Sequence, residues 1–210
     1  VMWRLKNCDP VLKITIIPRG RSLGATWYLP EERVNHNISH FMHKLAGLLG
    51  GRIAEQLLLD ITSTGAINDL ERTTKTAYAM VAYYGMSEKV GNISFYDATG
   101  QRDAFTKPFS ERTAELIDEE VRRIVDEAVE LTRSIIEQER ENIERLADLL
   151  LDKETIFAED VEQILGKSAQ EVAKAEAEAT SEERTEGDTE SAEIKYIIEP
   201  SAESSEEKTE

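Results

Sequence analysis

The sequence predicts a mainly α-helical fold with a small β-hairpin or sheet near its N-terminus. Three observations carry this expectation. From about residue 38 to residue 165, apolar residues recur at three-to-four spacing, the period of a helix with one buried face. The β-branched run Leu12-Lys13-Ile14-Thr15-Ile16-Ile17 lies early in the chain and ends at Pro18-Arg19-Gly20, a strand followed by a turn. From Ser168 onward the apolar period stops: 14 Asp/Glu stand against 4 Lys/Arg, too much charge and too little apolar surface to build a core. The chain therefore divides into a globular part, 1–167, and an acidic disordered tail, 168–210.

Val1 to Asn7 reads as a short uncapped helix, broken at Asp9-Pro10 because a proline pushes the residue before it out of the α region. Gly24 to Leu29 reads as the partner of the first strand. After the polar stretch Glu31 to Asn37, a helix carries Ile38, Phe41, Leu45, Leu48 and Leu49 on one face. Gly50-Gly51 suggests close packing or a kink before Ile53, Ala54, Leu57 and Leu58 continue the stripe. The tight loop Thr62-Ser63-Thr64-Gly65-Ala66 precedes a helix capped by Asn68 or a neighbour, with Leu70, Thr73, Ala77, Met80, Val81 and Tyr84 on one face and Gly85 as its C-cap. Val90 to Ala104 reads as a loop with room for one short strand. Ser110 caps a long helix whose stripe runs Ala114, Ile117, Val121, Ile124, Val125, Ala128, Leu131 and Ile135. A further helix carries Ile143, Leu146, Ala147 and Leu150, and a last one, about 158–165, stops at Gly166. In the tail, Ile194-Lys195-Tyr196-Ile197-Ile198 is an apolar island, read as incidental.

The formal charge of −17 excludes a nucleic-acid backbone as partner, which needs a surplus of Lys and Arg on one face. Cys8 is the only cysteine, so no disulfide forms within the chain, and a reducing compartment fits. No run approaches the roughly 18 apolar residues of a membrane span, and no signal peptide opens the sequence. The first residue is Val1, inside what reads as a helix, so the chain is expected to be a fragment.

Four stretches then meet a known pattern: Lys13 to Gly24 (KITIIPRGRSLG) followed by Tyr28-Leu29-Pro30; Leu49 to Glu55 (LGGRIAE); Thr62 to Thr74 (TSTGAINDLERTT); and Tyr84 to Glu88 (YGMSE). In this order and spacing the sequence resembles the peptidase domain of the FtsH-type ATP-dependent zinc metalloproteases, peptidase family M41, over roughly 1–166. The resemblance implies a helical metalloprotease domain, Zn2+ as cofactor and protein or peptide substrates. It also implies ATP used by a separate ATPase module, a homo-hexamer, and a place at the cytoplasmic face of the bacterial inner membrane. In such proteins a His-Glu-x-x-His helix supplies two zinc ligands and a general base. A distant aspartate supplies the third ligand and leaves one position for water, whose pKa the metal lowers. The matching aspartate here is Asp69. By local chemistry alone, an acid at the start of a helix is more often a cap or a dipole partner.

The sequence contains no His-Glu-x-x-His and no Gly-x-x-x-x-Gly-Lys-Ser/Thr phosphate loop; Gly47-Leu48-Leu49-Gly50-Gly51-Arg52 lacks both the lysine and the hydroxyl. The missing zinc helix is expected to sit immediately ahead of Val1. With the general-base glutamate outside these residues, the chain alone is expected neither to cleave protein nor to hold zinc tightly. Glu55 is a candidate for orienting a histidine ligand, or a solvated carboxylate. His36, His40 and His43 do not match ligand positions and read as surface histidines. Lys13 to Ile17 reads equally as an ordinary sheet edge or as an edge that takes up substrate by strand addition. The alternative function is a catalytically inactive helical interaction or oligomerisation module.

Overall fold

A computed structural model describes residues 1–18, 20, 23–30, 35–97 and 108–176. The tail from 177 on, with the Ile194–Ile198 island, lies outside them, as do parts of the Glu31–Asn37 and Val90–Ala104 stretches. One compact unit covers Val1–Ala173.

The elements follow the predicted order with two additions, a third strand and a last helix. A single 3-10 turn, Met2–Arg4, opens the chain where a helix was expected. Strands β1 (Val11–Thr15) and β2 (Ala25–Tyr28) come next, then helices α1 (Ile38–Leu58), α2 (Ile67–Ala82), α3 (Glu111–Gln138) and α4 (Arg140–Lys153). A third strand, β3 (Thr155–Phe157), and helix α5 (Ala158–Leu165) follow, and residues 169–176 form a last helix, α6. The expected strand in 90–104 does not occur among its described residues.

The sheet is antiparallel in the order β2-β1-β3, with Ile14 opposite Thr26 on one side and Ile156 on the other. β1 is therefore central. The edge reading of Lys13 to Ile17 is corrected for Lys13–Thr15, because these residues pair on both flanks; the outer strands among the described residues are β2 and β3. β3 escapes sequence reading because three residues are too few to show alternation. It forms after Glu154 takes a left-handed turn (φ 57°) that ends α4.

Helices α1, α2 and α3 enclose the main core, around Leu45, Leu49, Ile53, Ala77, Met80, Val81, Ile117, Ile124, Ala128 and Ile136. A second cluster, Trp3, Val11, Ile156 and Val161, joins the sheet to α4 and α5. Two polar residues occupy places in the α3 stripe that the apolar period passes over. Thr132 is fully buried and donates to the Ala46 carbonyl at 3.1 Å and the Ala128 carbonyl at 2.7 Å, bonding α3 to α1. Glu120 is equally buried and accepts from Ser87.

Side-chain caps start α1 and α3. Asn37 accepts from the His40 amide at 2.8 Å, and Ser110, as predicted, from the Thr113 amide at 3.3 Å. Gly85 ends α2 as a left-handed residue (φ 62°), two positions beyond the cap Tyr83, and the Met86 amide returns to the Met80 carbonyl at 2.9 Å. α1 runs unbroken through Gly50-Gly51. The close approach falls instead at Gly47, where a Cβ would lie 2.8 Å from Met2 Cγ.

Candidate functional site

The start of α2 decides how Asp69 is used. The N-cap is Ala66, with no side-chain cap, and Asn68 lies inside the helix, so the expected Asn68 cap does not form. Asp69 stands at the third helical position, where it could close a capping box with the backbone. It makes no such bond; the first turn is held by the Leu70 amide on the Ala66 carbonyl (2.9 Å) and the Ile67 amide on the Thr64 carbonyl (3.3 Å). Its carboxylate, half-buried, lines a cavity instead.

An uncapped helix start needs support from elsewhere, and the loop between α1 and α2 receives it from Glu55. Glu55 Oε1 accepts from Ser63 Oγ at 2.6 Å and Oε2 from the Ser63 amide at 3.2 Å. Ser63 Oγ in turn accepts from the Gly65 amide at 3.1 Å, and Arg52 Nη1 donates to the Ser63 carbonyl at 2.7 Å. The Ser63 hydroxyl, the Ser63 amide and Arg52 together hold the Glu55 carboxyl below its ordinary range, against the opposing pull of desolvation. The loop is closed further by Asp60 (φ 51°), which lets the Ile61 amide reach the Glu55 carbonyl at 3.2 Å. Glu55 is thus engaged with the loop that leads to Asp69. No motif in the sequence singles out Arg52 or Ser63; the one signal is a serine in a tight loop one helical stretch after an acid.

The cavity measures about 500 Å³. Met2, Asn7, Cys8 and Asp9 form one wall, and Thr26, Tyr28 and Pro30 another. From α1 come His40, Lys44, Gly47, Leu48 and Gly51, with His36 just before it; from α2 come Asp69 and Arg72. His36 and His40, read as surface residues, stack at 4.1 Å in this same cavity. His43 faces the other side of the N-terminal wall, where its Nδ1 accepts from the Asn7 amide at 3.2 Å. Burial, aided by Lys6 and His40, pushes the His43 imidazole below its usual range and favours the neutral ring that this bond requires. Burial raises the Tyr28 phenol, with the field of Asp69 adding to the effect and Thr26 and Arg72 opposing it.

A catalytic zinc needs three converging protein ligands. Among the described residues no group of three His, Cys, Asp or Glu side chains could hold a metal ion. Lys44 and Arg72 also balance Asp9 and Asp69 around the cavity, so it is no concentrated trap for a cation. The residues described do not by themselves fit a complete zinc site. Of the two acids that line the cavity, Asp9 and Asp69, it is Asp69 that stands in the first turn of α2 without a cap bond.

Comparison with known proteins matches residues 1–164 to a family model described as peptidase family M41. The chain is 52% identical over 167 residues to an ATP-dependent zinc metalloprotease FtsH of Parabacteroides distasonis, covering 80% of this chain and 24% of that protein. To the protein of the same name in Rhodothermus marinus it is 49% identical over 169 residues, 79% of this chain and 24% of the relative. It is also 42% identical over 166 residues to a mitochondrial inner membrane m-AAA protease component of Mus musculus, covering 79% of this chain and 21% of the relative. The chain spans about a quarter of the length of these relatives.

Proposed function

The chain belongs to peptidase family M41, and from that premise we propose that it forms most of the protease part of an ATP-dependent zinc metalloendopeptidase, to which it contributes Asp69 as one zinc ligand. The observation that carries this reading is the state of Asp69: placed to cap α2, it makes no cap bond and lines the cavity instead. Glu55, with Ser63 and Arg52, fixes the loop from which α2 starts and so sets the direction of Asp69; it is a positioning residue, acting through the loop.

The substrate of this reading is an extended peptide. β2 has one edge without a neighbour among the described residues, and its Thr26 and Tyr28 line the same cavity as Asp69. A peptide added along that edge would satisfy the strand's free backbone groups and pass the carboxylate. Two histidines and a general base would have to join Asp69 from a His-Glu-x-x-His helix, which these 210 residues do not contain. The names of the relatives support ATP dependence and, for the mouse protein, an inner membrane. No helix among the described residues is long and apolar enough to cross a membrane. Assembly as a homo-hexamer at the cytoplasmic face of a bacterial inner membrane, and an acidic tail that starts beyond Ala173, complete the proposal. The rival, an inactive interaction module, draws on the lack of a three-ligand group among the described residues.

One comparison separates the two. In the ATP-dependent protease that carries this sequence, Asp69→Ala should lower zinc below one equivalent per chain by elemental analysis and abolish chelator-sensitive casein hydrolysis, with the fold intact by circular dichroism. Full zinc and full proteolysis in Asp69→Ala would refute the ligand role.

A further inference from the structure

Gln170 lies in a segment whose sequence reads as tail, yet it is only 6% exposed. Its Nε2 donates to the carbonyls of Leu5 at 3.0 Å, Cys8 at 3.2 Å and Met2 at 3.4 Å, across more than 160 positions of sequence. An amide NH2 has two hydrogens, so three carbonyls share two donors, and a buried side chain placed this way is costly to replace. Its direction is fixed locally. Ser168, also buried, caps the start of α6: its Oγ and amide reach Glu171 Oε2 at 2.9 Å each, and the Glu171 amide returns to Ser168 Oγ at 3.2 Å. One turn earlier the Trp3 indole donates to the Gly166 carbonyl at 2.9 Å.

The turn held in this way is the wall of the cavity that carries Met2, Asn7, Cys8 and Asp9. It has little regular structure of its own: a single 3-10 turn, with the Cys8 amide on the Leu5 carbonyl at 3.3 Å. From the opposite side it rests on α1 through Met2 against Gly47 and the Asn7 amide on His43. Such a segment keeps its shape through what grips it.

We propose that residues 166–171 form a strap that latches this wall of the cavity, with Gln170 as the positioning residue whose side chain closes the latch. Its consequence for catalysis rests on the proteolytic reading above; the latch itself rests on the geometry alone.

Cys8 supplies a built-in reporter, being the only cysteine of the chain, 3% exposed, and part of the latched turn. Gln170→Met keeps the volume and removes both donors; Gln170→Glu keeps the volume and sets an acceptor against the carbonyls. In both, alkylation of Cys8 under native conditions should be about tenfold faster or more, as expected when a buried hydrogen-bonded contact opens locally. Amide exchange in the α1–α3 core should stay as in the parent. An unchanged Cys8 rate in both variants, or a rise matched by the α1–α3 amides, would overturn the strap, since the second outcome marks general loss of stability. In the zinc-loaded protease carrying this chain, the same variants should lower kcat/KM for a peptide by a similar factor, and Gln170→Lys, which restores donors, should recover part of it. If instead Asp69→Ala keeps zinc and activity while the Gln170 variants still expose Cys8, the proteolytic reading falls and the strap stands.

Discussion

Replacing Glu120 by glutamine keeps its shape and removes one charge from the inside of the α2–α3 packing. The carboxylate is 1% exposed and accepts from Ser87 Oγ at 2.8 Å, Lys89 Nζ at 2.9 Å, and Arg123 Nη2 at 3.0 Å and Nε at 3.2 Å. Burial alone would push its pKa up, but the bonds from Arg123, Lys89 and Ser87 outweigh burial and bring it from 4.5 to about 2. At about 1.4 kcal/mol for each pH unit, that gap corresponds to about 3 kcal/mol. Lys89 and Arg123 are themselves 57% and 43% exposed, so solvent screens part of it, and about 2 kcal/mol is the working figure. The Tm should fall by about 4–8 °C in Glu120→Gln at pH 7, at about 2–4 °C per kcal/mol for a chain of this size. The sign with pH follows from linkage. A depressed carboxylate contributes fully above 4.5 and loses its contribution as pH falls from 4.5 toward about 2, so the Tm gap between parent and variant should close over that interval. Thermal melts followed by circular dichroism at pH 7, 4.5 and 3 would measure it. A gap under 2 °C at pH 7, or one that stays constant down to pH 3, would refute the reasoning.

Two further outcomes follow from side chains that brace the segments around the cavity. Glu55→Ala and Ser63→Ala should each weaken zinc retention in the protease carrying this chain, and the double variant should be no worse than the stronger single one, because both break the same brace; additive losses in a zinc-affinity titration would show that the two residues act separately. His43 must stay neutral at Nδ1 to accept from the Asn7 amide, and its folded pKa lies below 6.5. The folded state then resists protonation more than the unfolded chain does, so stability holds above pH 6.5 and declines as pH falls through it, levelling below the folded pKa. The parent Tm should drop between pH 7.5 and 5.5 more than that of His43→Gln, whose side-chain oxygen accepts at either pH; equal drops would count against the bond.

The sequence by itself determined every long helix, because each buries one face and a period of 3.6 is written in consecutive residues. It also determined the caps whose chemistry is local: Ser110 reaching its third neighbour, and Gly85 and Gly166 taking left-handed turns. Asp69 is a candidate ligand only through the stretch around it. Its own neighbours do not decide whether it caps the helix; in the fold, the start of α2 at Ala66 has no side-chain cap. What only the tertiary structure decided are pairings between distant residues. β3 makes the presumed edge of β1 central, and Glu120 enters an apolar stripe because Ser87, 33 residues earlier, and Lys89 meet it there. Glu55 turns to Ser63 because the loop folds back on α1, and Gln170 becomes a core residue because the N-terminal turn presents three carbonyls to it. A buried polar side chain is stable only where partners converge, and that convergence is a property of the folded chain that no run of neighbouring residues encodes.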